Sequence, residues 1–176
     1  MALLFAFHLD LFVSLDDVAD TDSWRTIPGV KAIWINSPSN PTGAVLSADQ
    51  LAGIVAAARE IGAVVLSDEC YAMMDWRTAS THDDSNEAQA ANSFSLSSTP
   101  CVLSSAVCEG SAKGILMLYS LSKQSNMAGY RTAFTAGDAD IIKHMSAYRK
   151  QLGLIIPGPV QAAMATGLRD VASVHN

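Results

Sequence analysis

The chain has 176 residues, which is long enough for one ordinary domain with its own hydrophobic core. Its formal net charge of −6, with no cluster of Lys and Arg, argues against binding to nucleic acid. No apolar run approaches the ~18 residues that a membrane helix requires. Charged residues make up only 16% of the chain. This low fraction predicts either apolar surfaces that other segments or a partner subunit cover, or an unusually buried sheet.

Cysteines and histidines indicate neither a disulfide framework nor a metal site. Three cysteines are an odd number without CxxC spacing, which is typical of free thiols in the reducing cytosol. The four histidines are scattered, with no HExxH motif. Residues 1–15 lack the basic start and the small-residue cleavage site of a secretory signal. We therefore predict a cytoplasmic protein in which this stretch is a buried strand or helix tail, with a strand at 11–15.

The first predicted unit is a strand, a helix and a second strand. Residues 31–36 form a short apolar run that ends at a turn rich in Pro, Ser and Asn, as expected of a buried strand. Ser47 opens a helix, with Gln50 as its capping-box partner, and Gly62 stands where a terminating glycine belongs. Residues 63–66 form the second buried strand. Since one helix joins the two strands, we expect them to be parallel.

Beyond this unit the regular pattern first fails and then returns. Ser, Thr, Asn, Asp and Ala dominate residues 77–114 and no amphipathic period holds there, so we predict a long surface insertion that is partly disordered. After it we expect four elements, namely strands at 115–119 and 130–136, a helix from the cap Asp138 to about Leu152, and a helix begun by Pro157 or Pro159.

Lys123 follows the strand at 115–119 within the run Ser-Leu-Ser-Lys. At the end of a buried strand a charged amine is costly, and desolvation favours the neutral amine that attacks an aldehyde to form a Schiff base. The alternative is a lysine on an exposed loop, where most lysines lie. Ser120, Ser122 and Arg131 are close in sequence, and small hydroxyls with a guanidinium can surround a phosphate. These neighbours favour a functional lysine.

Three polar residues upstream complete this set. Asp68 stands at the carboxyl end of a predicted parallel strand, where ligands of α/β sheets bind, and a carboxylate there can keep a pyridine nitrogen protonated. Tyr71 can offer its hydroxyl to a phenolic oxygen, and Asn40, kept out of a helix by the following proline, presents its amide. The ordinary alternatives are a capping aspartate, a half-buried tyrosine and a plain Asn-Pro turn. Together with Lys123 and the phosphate cluster, these residues are the parts needed for pyridoxal 5'-phosphate (PLP) chemistry.

The motifs that carry this combination are Asn40-Pro41-Thr42-Gly43, Asp68-Glu69-Cys70-Tyr71 and Ser120-Leu121-Ser122-Lys123 with Gly129 and Arg131. Together they resemble the class I/II aminotransferase family of fold-type I PLP enzymes. The resemblance implies an α/β fold, a three-layer αβα large domain with a mostly parallel sheet that is incomplete at both ends. It also implies that the small domain of the family has no counterpart in residues 1–176.

The resemblance implies a role for each site residue. Lys123 forms the internal aldimine with PLP and then shuttles the proton. Asp68 pairs with the pyridine nitrogen, while Tyr71 and Asn40 contact the 3-oxygen of the cofactor. The phosphate-binding residues are Ser120, Ser122 and Arg131.

Residues 36–43 and 120–131 are similar to the bacterial succinyldiaminopimelate aminotransferase branch, which implies amino transfer between succinyldiaminopimelate and 2-oxoglutarate in lysine biosynthesis. The resemblance also implies a homodimer as the intact enzyme. A glycine-rich turn, a ring-stacking aromatic residue and a substrate-binding arginine of the family have no counterpart here, so the chain alone is expected to be inactive. Two alternatives stay open, a non-catalytic PLP-binding or dimerisation fragment and a PLP-dependent lyase of the same fold.

Overall fold

The computed structural model describes residues 4–8, 11–15, 17–74 and 99–169, which form one six-stranded sheet with helices. The strands, in chain order, are β1 (Leu4–His8), β2 (Leu11–Leu15), β3 (Ala32–Asn36), β4 (Val64–Asp68), β5 (Ile115–Tyr119) and β6 (Phe134–Gly137). Their order across the sheet is β2-β1-β3-β4-β5-β6.

Strand direction is shared by most of the sheet. β3, β4 and β5 are parallel to one another, whereas β1 and β6 run antiparallel to their neighbours β3 and β5. β2 is antiparallel to β1 and so points the same way as the three central strands. Because β2, β3, β4 and β5 share one direction, the predicted α/β fold with an open, mostly parallel sheet is confirmed.

Helices lie between the strands and after the last of them. They are α1 (Asp22–Arg25), α2 (Ala48–Ile61), α3 (Ser105–Cys108), α4 (Leu121–Gln124), α5 (Ala139–Gln151) and α6 (Gly158–Arg169), with a 3₁₀ turn at Ala128–Tyr130. None of the helices in the described ranges has the length and apolar character that crossing a membrane requires.

The hydrophobic core lies against one face of the central strands. Ile33, Val65 and Ile115 are aligned across β3, β4 and β5, and each is at most 1% exposed. They share a buried cluster with the apolar side of α2 and with Trp24, whose indole N–H donates to the carbonyl oxygen of Val18 (3.0 Å). Burial of apolar surface, at roughly 25 cal/mol per Å², thus holds together the three parallel strands whose ends carry the site.

α2 forms where the sequence predicts it, between a capping box and a left-handed glycine. The Ser47 hydroxyl accepts from the Gln50 backbone amide (3.1 Å), and the Gln50 side chain accepts from the Ser47 amide (2.9 Å). At the other end Gly62 has a φ of 70°, and its amide donates to carbonyls of the last helical turn. The strands on either side of α2 are parallel, so the predicted strand–helix–strand unit is confirmed.

Removal of this cap is expected to lower stability. In S47A the Gln50 amide loses its acceptor, so the free energy of unfolding should fall by about 1 kcal/mol. Urea denaturation measures the change. The matched control is S146A, an exposed position inside α5, where alanine should cost nothing because it is the better helix former. An equal loss in both variants would contradict the capping role.

Residues 99–114 contribute buried side chains to the core and are not only a surface insertion. Val102 and Val107 are at most 1% exposed, and the Val102 amide donates to the buried carboxylate of Glu69 (2.8 Å). The short helix α3 packs against α2. The predicted insertion is therefore wrong for this part, because a helix of four residues is too short to show an amphipathic period. Residues 77–98 of the same prediction lie outside the described ranges.

The strand predicted at 130–136 begins later than expected. Arg131 has a φ of 50°, a left-handed conformation that interrupts an extended run, and β6 starts only at Phe134. Asp138 caps α5 as predicted, since its carboxylate accepts from two amides of the first helical turn. The same carboxylate accepts from the Gly114 amide (2.8 Å), and this bond is the first of those that lower the pKa of Asp138.

Candidate active site

The carboxyl ends of β3, β4 and β5 bring the predicted residues to one edge of the sheet. Asn36 and Asp68 are aligned as the last residues of β3 and β4, and β5 runs parallel beside them. Directly beyond these ends follow the turn of residues 37–43, Tyr71 and Ser120. Because parallel strands end at the same edge, motifs that are far apart in sequence meet here.

Three of the predicted residues form a row of contacts. The side-chain amide of Asn40 donates to the hydroxyl of Tyr71 (3.1 Å). The Nζ atom of Lys123 lies over the Tyr71 ring, 5.7 Å from its centre, which is within the range of about 6 Å for a cation–π contact. Three groups from separate motifs are therefore in contact: the Asn40 amide with the Tyr71 hydroxyl, and the Tyr71 ring with the Lys123 amine.

Lys123 is exposed, contrary to the prediction of a desolvated amine. β5 ends at Tyr119, and the chain turns into the one-turn helix α4, which buries Leu121 and leaves Lys123 on its outer side. All ion pairs in the described ranges involve Arg25, so no carboxylate there pairs with the lysine. The prediction of desolvation is wrong because the lysine lies beyond the strand, not at its buried end.

The neighbouring carboxylates Asp68 and Glu69 have different surroundings, in keeping with the alternation of side chains along a strand. Glu69 is only 4% exposed, and its Oε1 accepts from the Ser67 hydroxyl (3.0 Å) on the core side of the sheet. Asp68 is half-buried, and its Oδ1 accepts from the Cys70 amide (3.1 Å). Of the two, Asp68 is thus the carboxylate that stays partly exposed.

Cys70 joins the ends of β4 and β5. Besides burial, Asp68 and Ser120 are the two residues that influence the pKa of its thiol. Burial, and next the hydrogen bond to Asp68, raises the pKa of the Cys70 thiol from 9.0 to about 11. The sequence pattern indicated only a free thiol here. Its position two residues after Asp68 was the available signal, because alternation places such a pair on the same side of an extended chain.

Alkylation of Cys70 is expected to reach half of its maximal rate near pH 11 rather than pH 9.0. The thiolate is the reactive form, and burial and Asp68 disfavour it, so at pH 8 the rate should be about a hundredfold below that of the denatured chain. Iodoacetamide labelling with mass spectrometry of the Cys70 peptide measures the rate at each pH. In D68N the midpoint should move down, because the negative charge is gone; a midpoint near 9.0 in the unsubstituted chain would contradict the prediction.

The residues predicted to bind a phosphate follow β5. Ser120 is buried, and its hydroxyl accepts from the Ser122 amide at the start of α4 (3.4 Å). Arg131 is exposed after the 3₁₀ turn, and its guanidinium donates to the carbonyl oxygen of Ala128 (2.9 Å). In the part of the chain that the structure describes, no hydrogen bond or ion pair joins Arg131 to Ser120. The structure therefore places the two serines directly after the carboxyl end of β5, whereas the Arg131 side chain is hydrogen-bonded within the 3₁₀ turn that precedes it.

Comparison with known proteins identifies the family. The family model described as aminotransferase class I and II matches residues 7–176. The chain belongs to this aminotransferase family. It is 43% identical over 146 residues to the 4-dedimethylamino-4-oxo-anhydrotetracycline transaminase OxyQ of Streptomyces rimosus, covering 83% of this chain and 35% of that protein. It is 31% identical over 151 residues to a probable N-succinyldiaminopimelate aminotransferase of Mycobacterium tuberculosis, covering 85% of this chain and 33% of that protein.

Solved aminotransferase structures share the fold of this chain. The N-succinyldiaminopimelate aminotransferase from Mycobacterium tuberculosis superposes with a TM-score of 0.67 at 28% identity, over 89% of this chain and 36% of that chain. Aminotransferase AspB from Helicobacter pylori superposes with a TM-score of 0.69 at 25% identity, over 93% of this chain and 38% of that chain. The present chain spans about a third of the length of the curated relatives that it matches.

Aminotransferases of class I and II use PLP as their cofactor. The side chains at the strand ends fit this group by their chemistry. Lys123 carries an amine, Asp68 a partly exposed carboxylate, and Tyr71 a hydroxyl in contact with the Asn40 amide. The buried hydroxyl of Ser120 adds a group suited to a phosphate. Within the described ranges, no three or more His, Cys, Asp or Glu side chains are grouped so that they could hold a metal ion.

Proposed function

We propose that this chain forms the PLP-binding part of an aminotransferase that moves an amino group between an amino acid and a 2-oxo acid. The observation that carries the proposal is the contact row of Asn40, Tyr71 and Lys123 at the ends of parallel strands. Membership of the aminotransferase family supports the same chemistry.

Bound PLP supplies an aldehyde that condenses with amines and a pyridinium ring that withdraws electrons from the reacting carbon. In this proposal Lys123 binds the cofactor through Nζ and later carries the proton removed from the substrate α-carbon. Asp68 holds a proton on the ring nitrogen with its carboxylate, which is an electrostatic contribution. Tyr71 and Asn40 orient the cofactor by hydrogen bonds to its 3-oxygen.

Ser120, Ser122 and Arg131 are proposed to bind the phosphate. The buried Ser120 hydroxyl lies beside the Cys70 thiol, and the guanidinium of Arg131 brings the positive charge that a phosphate dianion attracts. A guanidinium has five N–H donors, and the Nη1 bond to Ala128 uses one of them. That bond holds the arginine side chain against its own turn.

For the substrates we propose the pair succinyldiaminopimelate and 2-oxoglutarate, between which an amino group is transferred in lysine biosynthesis. The 31% identity to a probable N-succinyldiaminopimelate aminotransferase, and the 28% identity to a solved one, support this choice. The transaminase OxyQ, at 43% identity, is named for an anhydrotetracycline compound, so the assay has to include other amino donors.

We also propose that the intact enzyme is a cytoplasmic homodimer. Apolar side chains are exposed near the end of α5, including Tyr148 at 66%, Leu152 at 53% and Ile155 at 67% exposure. Such a surface supports the proposal that a second subunit covers this part of the protein.

Two measurements test the proposed function. The purified protein is mixed with PLP, reduced with borohydride and digested, and mass spectrometry should find the cofactor on the peptide that contains Lys123. A coupled assay with succinyldiaminopimelate and 2-oxoglutarate should then detect glutamate. Trapped cofactor without turnover would favour the non-catalytic PLP-binding alternative, and elimination products would favour a lyase. If no cofactor is trapped at Lys123, the proposal fails.

A further inference from the structure

Asn36, the last residue of β3, connects two backbone segments through its side chain. Its Nδ2 donates to the carbonyl oxygen of Asp68 at the end of β4 (3.2 Å). Its Oδ1 accepts from the backbone amide of Asn40 in the following turn (2.8 Å). These two partners fix the orientation of the Asn36 side-chain amide. The carbonyl oxygen of Asp68 requires the NH₂ group as donor, and the backbone N–H of Asn40 requires the side-chain oxygen as acceptor.

Three backbone hydrogen bonds of the turn do not involve Asn40. The amide of Ser39 donates to Ala44 (2.9 Å) and the amide of Gly43 donates to Ser39 (2.7 Å), so these two bonds close the turn on itself. The amide of Ser37 donates to the carbonyl oxygen of Asp68 (3.2 Å), which ties only the start of the turn to β4. The Asn36 side chain instead ties the backbone of Asn40 to β3, and through Asp68 to β4. Asn40 itself is exposed, so its own packing holds it only weakly.

We propose that Asn36 is a positioning residue, which holds Asn40 where its side-chain amide reaches the Tyr71 hydroxyl. The inference rests on the proposed function in one respect, since Asn40 and Tyr71 are proposed to orient the cofactor. The chain of contacts runs from Asp68 through Asn36 to Asn40 and Tyr71, and the Tyr71 ring lies under the Lys123 amine. Substitution of Asn36 therefore loosens the position of Asn40, whereas Asn40, Tyr71 and Lys123 themselves remain unsubstituted.

The test compares N36A with S37A in the full chain. Ser37 lies in the same turn, and its buried hydroxyl accepts from the Leu46 amide (3.0 Å), so S37A removes a structural bond that does not touch Asn40. Two quantities are measured: the hydrogen-exchange rate of the Asn40 amide without cofactor, by NMR, and the dissociation constant of PLP. In N36A both should rise about tenfold, because the Asn40 amide loses its hydrogen bond to the side chain at position 36, while S37A should leave both near the parent values.

N36D serves as the conservative variant and keeps the experiment decisive if N36A does not fold. It retains an oxygen that can accept from the Asn40 amide but loses the donor to Asp68, so Asn40 exchange should stay near the parent rate. The proposal is overturned if Asn40 exchanges in N36A at the parent rate, if N36D loses the protection of Asn40, or if N36A binds PLP as tightly as S37A.

The exchange measurement separates this inference from the proposed function. If the parent chain traps no PLP at Lys123, the proposed function fails, and the exchange rate of the Asn40 amide still decides whether Asn36 holds the turn. If the parent traps PLP normally but N36A and S37A show the same exchange at Asn40, the inference about Asn36 fails alone.

Discussion

K123A is expected to lose covalent attachment of PLP completely. Lys123 is the amine that lies over the Tyr71 ring, 5.7 Å from its centre, and alanine offers no nucleophile in its place. After borohydride reduction, the cofactor mass on the peptide of residues around position 123 should fall to the level of an unreduced sample. Peptide mass spectrometry measures this loss directly, and it does not depend on turnover.

K143A is the matched control for this experiment. Lys143 is an exposed lysine inside α5, a helix that contributes no predicted site residue. K143A should therefore trap as much PLP as the unsubstituted chain. If K123A and K143A retain equal amounts of cofactor, the trapping is non-specific and the assignment to Lys123 is wrong.

G137A is expected to destabilise the fold by about 3 kcal/mol or more. Gly137 ends β6 with a φ of 139°, a conformation that residues with a side chain rarely adopt. A Cβ atom there would lie 2.0 Å from the carbonyl oxygen of Ile115. That oxygen belongs to the backbone of β5 and accepts from the Asp138 amide (2.8 Å), so it cannot move away without disturbing the strand that leads to Lys123. Denaturation in urea, followed by circular dichroism, measures the loss.

G53A provides a control of opposite sign. Gly53 lies on the exposed side of α2, and a Cβ atom there meets nothing within 4 Å. Alanine should raise the free energy of unfolding by about 0.5–1 kcal/mol, because it restricts the unfolded chain and suits a helix interior. A G137A variant as stable as the parent would show that the backbone of β5 yields more easily than the structure indicates.

Local sequence patterns predicted the elements that depend on a few neighbouring residues. The capping box of Ser47 and Gln50 involves residues three positions apart, and the structure has both of its hydrogen bonds. The same holds for Asp138, whose carboxylate caps the residues that directly follow it. These capping contacts join residues that are close in sequence and form together with the helix itself, so the local sequence is sufficient to predict them.

Burial was predicted less well than the capped helices. Val102 is buried in a turn just before α3, where no amphipathic period could reveal its burial, and the residues that cover it come from elsewhere in the chain. Lys123 follows a buried strand, yet it is exposed, because the one-turn helix α4 places Leu121 inward and the lysine outward. The direction in which the chain turns after β5 decides the exposure of the lysine.

The strand–helix–strand unit around α2, the types of side chain at the site and the likeness to PLP enzymes were determined by the sequence alone. Only the tertiary structure decided which of these side chains meet: Asn40 with Tyr71 across 31 positions of sequence, and Asn36 with Asp68 across 32. The physical reason is that capping and strand periodicity act over a single turn or a few residues, whereas these contacts exist only after three parallel strands have packed with their ends at one edge.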